Sequence, residues 1–343
     1  MRLVYIFFPL IFFVFSCVQK DSSGNPDKFE IKSGIGLAYW LSQSDRHEHY
    51  DRETYITEKD IESIAEMGFD HVRLPVDEVQ LWDEEGTRLN DGFRLMNSCI
   101  NWCIKRNLRV VVDLHTTRSH HFNNPVRPLW TDSLEQQKFV DIWRDLSSVL
   151  RNYPNSMVAY ELMNEPVAKD PEQWNQLIFK TVPAIRELEP NRTIVIGSNW
   201  YNNCHTFDDL KVPENDSNII LTFHMYEPFL LTHYQIQWGG SNIKKYSGPV
   251  HYPGNILSEE EFKQLSDSAK LIIKHWVDRE FNKAELRKMM EKPIQKAKEL
   301  GLPLYNGEYG VHNVVLSPDR VRWHRDILSV MQENGIRRRE DIK

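Results

Sequence analysis

From about residue 33 onward, short apolar runs alternate with segments in which apolar residues recur at helical spacing. Several runs, such as LRVVVDLH (108–115), are continuously apolar, which is typical of strands buried on both faces. Seven strands are predicted, over 33–39, 69–76, 108–115, within 157–166, 193–199, 218–226 and 302–310. Helices are predicted over about 57–67, 92–106, 133–151 and 172–188, twice after residue 257, and over about 318–332.

This alternation indicates βα units and a parallel sheet. Seven repeats over this length favour a closed (β/α)8 barrel over an open doubly wound sheet. No G-x-G-x-x-G motif follows the first strand, which argues against a dinucleotide site. The predicted fold class is therefore α/β, a (β/α)8 TIM barrel that occupies residues 33–343.

The end of the chain lacks a convincing eighth strand. Asn334-Gly335 is a helix stop and Ile336 a possible strand start, but RRREDIK (337–343) follows. Three consecutive arginines are costly in a packed interior unless they have partners. We therefore expect the eighth strand to be missing or degenerate, with a short divergent strand as the alternative.

The first 17 residues have the layout of an export signal. Arg2 precedes an apolar run from Leu3 to Phe15, which is short for a membrane span, and Ser16-Cys17 follows. A cysteine after a small residue predicts lipidation at Cys17, with an ordinary signal peptide as the alternative. Residues 18–32 are predicted to be a polar tether. We expect a lipoprotein on a bacterial outer membrane or cell surface, or a periplasmic or secreted protein if no lipid is attached.

Composition places the chain among globular proteins and argues against nucleic acid as a partner. Its 343 residues are 41% hydrophobic and 27% charged, with a net charge of −7. An acidic balance gives no electrostatic reason to bind nucleic acid, and we expect a monomer. Cys99, Cys103 and Cys204 show neither a disulfide framework nor a zinc spacing, so they are predicted to be buried thiols.

Polar or aromatic residues close nearly every predicted strand. In a parallel barrel these strand ends meet at one rim, where catalytic groups cluster. The residues at these ends are Tyr39, Trp40, Arg73, Asp113, His115, Asn164, Glu165, Asn199, Trp200, His224, Tyr226 and Glu308. Any single one would be explained as a loop residue or a satisfied core residue, but the whole set predicts an active site.

Two glutamates give this rim its predicted chemistry. Glu165 and Glu308 come from the fourth and seventh strands, which face each other across a closed barrel. Two carboxylates suit glycoside hydrolysis, in which one protonates the leaving oxygen and the other attacks the anomeric carbon. Their protonation states must differ, and Arg73 beside Glu308 would keep that carboxylate ionised. His224 and Tyr226 share one side of their strand, so the tyrosine hydroxyl could hydrogen-bond the nucleophile.

The ordered motifs resemble those of a known family. NEP (164–166), GEYG (307–310), DLH (113–115), HMY (224–226) and Arg73 together resemble glycoside hydrolase family 5, the cellulase family of retaining (β/α)8 hydrolases, over about residues 33–335. The resemblance implies Glu165 as the acid/base and Glu308 as the nucleophile, with no metal and no organic cofactor. The supporting shell that it implies is Arg73, His115, Asn164, His224 and Tyr226.

Tryptophans near the strand ends would suit stacking beneath sugar rings. Trp40 and Trp200 are candidate platforms, with packing at the rim as the alternative. Packing is the simpler explanation for the loop residues Trp130 and Trp238, and also for Trp102, Trp143 and Trp276 within helices.

The loop DLHTTRSHHFNN (113–124), followed by QQKFVDIWRDLS (136–147), most resembles the endo-β-1,4-glucanase branch. Cellulose or mixed-linkage β-glucan is therefore the expected substrate, and mannan, xyloglucan or small β-glucosides would use the same machinery. Family members usually carry a tryptophan on the eighth strand as the floor of the site, and Arg338 stands near that position. A non-catalytic or truncated glycan-binding lipoprotein is accordingly the second hypothesis.

Overall fold

The computed structural model describes residues 28–43, 51–237 and 242–340, so residues 1–17 with Cys17, most of the tether, and Trp238 lie outside the described residues. Eight parallel strands form the barrel. They are β1 (Ser33–Gly36), β2 (His71–Asp77), β3 (Arg109–Thr116), β4 (Val158–Glu161), β5 (Ile194–Gly197), β6 (Ile219–Met225), β9 (Leu304–Tyr309) and β10 (Arg337–Glu340). A small antiparallel pair, β7 (Gly254–Asn255) and β8 (Glu280–Phe281), lies in the connection from β6 to β9.

The predicted helices are confirmed to within a few residues, and short helices that were not predicted accompany them. The helices are Arg52–Tyr55, Glu58–Glu66, Glu78–Leu81, Asn90–Lys105, Ser133–Leu150, Pro171–Leu188, Asn199–Asn202, Phe229–Thr232, Glu259–Gln264, Asp267–Ile273, Lys283–Met289, Glu291–Leu300 and Ser317–Glu333. Short 3-10 segments span Pro128–Trp130, Cys204–Asp209 and Asn242–Lys245. The connection after residue 257 holds four helices rather than the two predicted.

The eighth strand is present, so the expectation that it is missing is wrong and the alternative of a short divergent strand is confirmed. β10 is short and charged, but it pairs in parallel with β1 through Ser33 and Arg338 and with β9 through Tyr305 and Arg337. The sheet closes in the order β1-β10-β9-β6-β5-β4-β3-β2. Successive side chains of a strand alternate between its two sides. The inward residue Arg339 is almost fully buried and finds a partner in Glu308, so the arginine run does not prevent closure.

The apolar core has two parts. A large cluster fills the space between strands and helices, and a smaller one contains Val111, Ala159, Val195, Ile220 and Tyr305, which alternate with residues of the large cluster along their strands. Phe29 and Ile31 are buried in this inner cluster. The barrel domain therefore begins before residue 33, because these two residues of the predicted tether belong to its interior.

The remaining predictions about the core are confirmed where the structure describes the residues. Cys99, Cys103 and Cys204 are buried free thiols. Trp143 and Trp130 are buried, and Trp102 and Trp276 pack against the large cluster. Among the described residues, no helix combines the length and the apolar character needed to cross a bilayer.

Candidate active site

An open cleft of about 1430 Å³ lies at the rim where the barrel strands end. It brings together eight of the nine residues predicted as catalytic, supporting or sugar-stacking groups, along with Arg339. Those eight are Arg73, His115, Asn164, Glu165, Trp200, His224, Tyr226 and Glu308. The rim predicted from strand ends is therefore one continuous cleft, as expected for a barrel.

Trp40 is the exception, and its prediction as a sugar platform is wrong. Its side chain has 0% exposure, and its indole Nε1 donates to the backbone oxygen of Arg52 at 2.8 Å. The chain turns inward directly after β1, with Leu41 bridging to Val76 of β2, so this ring packs in the core rather than facing the cleft.

Trp200, by contrast, is 53% exposed and forms part of the cleft wall. It lies in a tight turn where Trp200, Tyr201 and Asn202 all have positive φ, an uncommon conformation for residues other than glycine. The amide of Asn202 donates to the backbone oxygen of Asn164, which fastens this turn beside the acid/base candidate. The backbone strain of these positive φ angles persists because surrounding contacts, such as this hydrogen bond, hold the turn in place.

Arg73 is the hub of the site. Its guanidinium is fully buried, and Nε and Nη2 donate to the two oxygens of Glu161 at 2.6 and 2.8 Å. Nη2 also contacts Asn164 Oδ1 at 2.8 Å and Asp113 Oδ2 at 2.9 Å, while Nη1 donates to Glu308 Oε1 at 2.8 Å. Burial opposes the charge, but the three carboxylates raise the pKa of Arg73 well above its usual value. It is therefore a permanent cation held in a fixed position.

Glu308 is held as an anion. Its Oε1 contacts Arg73, and its Oε2 accepts from the hydroxyl of Tyr226 at 2.9 Å, as predicted. Arg339 approaches Oε1 to 3.7 Å. Burial by itself would raise the pKa of Glu308, but the surrounding positive charge lowers it well below its ordinary value. The two arginines supply that charge permanently, since burial lowers the pKa of His224 to about 3 and leaves this imidazole neutral near neutral pH.

Glu165 has a less cationic setting. Its Oε1 lies 2.9 Å from Nδ1 of the neutral His224. The same ring nitrogen is 4.0 Å from Glu308 Oε2, so the imidazole lies between the two carboxyl groups. One carboxyl thus faces permanent cations and the other a neutral ring, which is the asymmetry that an acid and a nucleophile require.

His115 is positioned by Asp113. The ring Nδ1 lies 2.8 Å from Asp113 Oδ2, and the side chain is almost fully buried at the cleft wall. Burial works against a charge on the ring, yet Asp113 raises the pKa of His115 above its ordinary value. Asp113 therefore links this imidazole to Arg73, which it also contacts.

Two residues of the site were not identified from the sequence. Glu161 is fully buried and makes the two-pronged contact with Arg73, and it follows Ala159 by two positions on the inward side of β4. The two-residue spacing from Ala159 to Glu161 was the sequence feature that could have placed Glu161 on the inward side of the strand. On β10, the arginine that lines the cleft is Arg339 rather than Arg338, because the alternation of the strand places residue 339 inward.

Oxygens of Glu165 and Glu308 and a ring nitrogen of His224 lie within 4.8 Å of one another, a spacing that a metal ion could bridge. Two guanidinium groups already face Glu308, and a further cation beside them would be repelled. The cluster therefore matches proton transfer and nucleophilic attack better than metal binding.

Comparisons with known proteins agree with this geometry. The family described as cellulase (glycosyl hydrolase family 5) matches residues 37–338. Endoglucanase C of Acetivibrio thermocellus is 37% identical over 313 residues, 89% of this chain and 89% of that protein. Cellodextrinase A of Ruminococcus flavefaciens is 30% identical over 316 residues, 90% of this chain and 84% of that protein.

The fold is shared with a solved structure at greater distance. The mutant form of Thermotoga maritima Cel5A in complex with cellobiose has a TM-score of 0.72 at 22% identity, over 91% of this chain and 88% of that one. The family match spans most of the chain, including both glutamates of the cleft. The chain therefore belongs to glycosyl hydrolase family 5, the cellulase family, and is a glycoside hydrolase.

Proposed function

We propose that this chain is an endo-β-1,4-glucanase that cleaves its substrate with retention of configuration. The observation that carries the proposal is the approach of a Glu165 oxygen to a Glu308 oxygen within 4.8 Å in an open cleft. Retaining glycosidases hold their two carboxyl groups about 5–5.5 Å apart, whereas inverting enzymes need about 6.5–9.5 Å to admit a water molecule. The observed spacing supports direct attack by a carboxylate.

In the first step, a Glu308 oxygen attacks the anomeric carbon while the bond to the leaving sugar oxygen breaks. The proton of Glu165 passes to that oxygen, so the leaving sugar departs neutral and Glu165 becomes a carboxylate. In the second step, Glu165 takes a proton from water, the water oxygen bonds to the anomeric carbon, and the Glu308 carboxylate leaves. Two displacements at one carbon restore the original configuration.

The surrounding residues would serve these steps from fixed positions. Arg73 and Tyr226 keep Glu308 ionised and oriented through one contact to each of its oxygens. Asn164 Oδ1 is held by Arg73, which leaves its amide nitrogen to meet a sugar hydroxyl beside the reacting carbon. Prior positioning of this kind lowers the entropic part of the barrier.

The substrate class rests on the cleft and on the relatives. An open cleft of about 1430 Å³ has room for several sugar units, and Trp200 offers an exposed aromatic face. The relatives are named endoglucanase and cellodextrinase. β-1,4-Glucan is therefore the proposed substrate, and mannan, xyloglucan and small β-glucosides are the alternatives to compare in one assay.

The catalytic roles are tested with an activated aryl β-cellobioside. Glu308→Gln should form no glycosyl-enzyme, whereas Glu165→Gln should still release a burst of aryl alcohol because this leaving group needs little protonation. Glu187→Gln, at a largely exposed glutamate, is the control. NMR should detect a β-configured first product. An α-configured product, or equal loss of the burst in both variants, would contradict the proposal.

The internal position of cleavage needs its own measurement. An enzyme that cuts within chains lowers the viscosity of carboxymethylcellulose well before many reducing ends accumulate. If the viscosity falls only in proportion to the number of reducing ends formed, the enzyme acts at chain ends instead.

A further inference from the structure

Arg339 is an unexpected second cation at the nucleophile. Its Nη2 lies 3.7 Å from Glu308 Oε1, the same oxygen that receives the 2.8 Å hydrogen bond from Arg73 Nη1. The two guanidinium groups come from β10 and β2, which are separated in the barrel by β1. Glu308 Oε1 therefore faces positive charge from two directions, while Oε2 faces Tyr226.

The first strand is shaped to receive this guanidinium. A Cβ atom on residue 36 would lie 2.6 Å from Arg339 Cζ, so a side chain there would displace the group. Gly36 adopts no left-handed conformation, since it is not among the residues with positive φ. The glycine is thus explained by the close approach of Arg339, which occupies the space a side chain would fill.

The burial of Arg339 indicates whether its guanidinium contacts the substrate or the nucleophile. Its side chain is only 3% exposed, compared with 14% for Glu308, although both line the cleft. A group so covered has little surface to offer a sugar ring. Within the cleft this covered guanidinium lies against the carboxylate of Glu308, with its Nη2 3.7 Å from Oε1.

We propose that Arg339 is a positioning residue that, together with Arg73, keeps Oε1 of Glu308 fixed and ionised and leaves Oε2 to attack the anomeric carbon. This inference rests on the proposed function of Glu308. The family resemblance placed an aromatic floor near Arg338, whereas the residue of this strand that reaches the nucleophile is its charged neighbour Arg339.

The titratable groups that face Glu308 lie on or just after five of the other barrel strands. Arg73 lies on β2, His115 on β3, Glu161 on β4 with Glu165 after it, His224 on β6 and Arg339 on β10, with the Tyr226 hydroxyl beside Oε2. Arg73 and Arg339 stay charged over the whole working range of pH. Removing one of them leaves Glu308 easier to protonate, and a protonated carboxyl cannot attack.

The test is the acid limb of the pH profile of kcat/KM, measured with an aryl β-cellobioside. This limb reports the pKa of the group that must be ionised in the free enzyme. Arg339→Gln should move it upward by about one pH unit, since an opposite charge at this range lowers a carboxyl pKa by about 1–3 units. Arg339→Lys, which keeps the charge, should move it less.

The next residue of the same strand provides a matched control. Arg338 carries the same charge on the other side of β10, so Arg338→Gln should leave the acid limb in place. An unmoved limb in Arg339→Gln, even with a lower melting temperature, would mean that the residue only closes the barrel. An equal shift in Arg338→Gln would also overturn the proposal.

Gly36→Ala keeps the test decisive if Arg339→Gln does not fold. The added methyl group displaces the end of a flexible side chain and leaves the charge of the protein unchanged. The acid limb should again move upward, and an unmoved limb would overturn the proposal. If the unaltered chain cleaves no β-glycoside, the proposed function fails, and NMR titration of the Glu308 carboxyl in Arg339→Gln then judges this inference separately.

Discussion

Arg73→Lys keeps the positive charge at the hub of the site but removes its forked geometry. The guanidinium makes five contacts with oxygens, two to Glu161 and one each to Asn164, Asp113 and Glu308, at 2.6–2.9 Å. A lysine ammonium has three donors at one point, so at least two contacts are lost. Hydrogen bonds to charged groups contribute about 1.5–3 kcal/mol each, which gives an expected loss of about 3–6 kcal/mol in the free energy of unfolding.

That loss is large beside the net stability of about 5–15 kcal/mol of a typical domain. Unfolding in guanidinium chloride should show a lower midpoint with an unchanged slope. Arg144→Lys is the matched control. Arg144 is 43% exposed, and its nearest carboxylate contacts are 3.4 and 3.6 Å away, so its replacement should change stability by less than about 0.5 kcal/mol.

A loss below about 1 kcal/mol in Arg73→Lys would refute this reasoning. It would mean that the buried carboxylates do not depend on the forked geometry and that a point charge satisfies them. A loss as large in the exposed control would also refute it, because the effect would then follow the residue type and not the buried contacts.

Two further predictions concern the ligand and the location of the protein. Trp200→Ala should raise KM for cellohexaose about 2- to 10-fold, since aromatic stacking contributes about 0.5–1.5 kcal/mol. The melting temperature should stay nearly unchanged because the ring is exposed. An unaltered KM would exclude a platform role. We propose that a lipid at Cys17 anchors the exported protein, so Cys17→Ser should move it from the membrane to the soluble fraction, whereas persistent membrane association would contradict this.

The sequence alone indicated a (β/α)8 barrel and most of its site, although it did not reveal the eighth strand. Strand and helix periodicity identified the βα units, and the carboxyl ends of parallel strands necessarily share one rim. Residues such as Arg73, Glu165 and Glu308 could therefore be assigned to one cleft without coordinates. Such inferences succeed because strand direction and side-chain alternation are local properties of the chain.

Tertiary structure decided what depends on partners distant in sequence. The arginine run of β10 looked incompatible with a barrel until Glu308 and the space above Gly36 were seen to accommodate Arg339. Trp40 looked like a rim residue, yet the turn after β1 buries it. The free energy of placing a charge or an aromatic ring depends on what surrounds it. Those surroundings come from strands far apart in the chain, so only the closed fold fixes them.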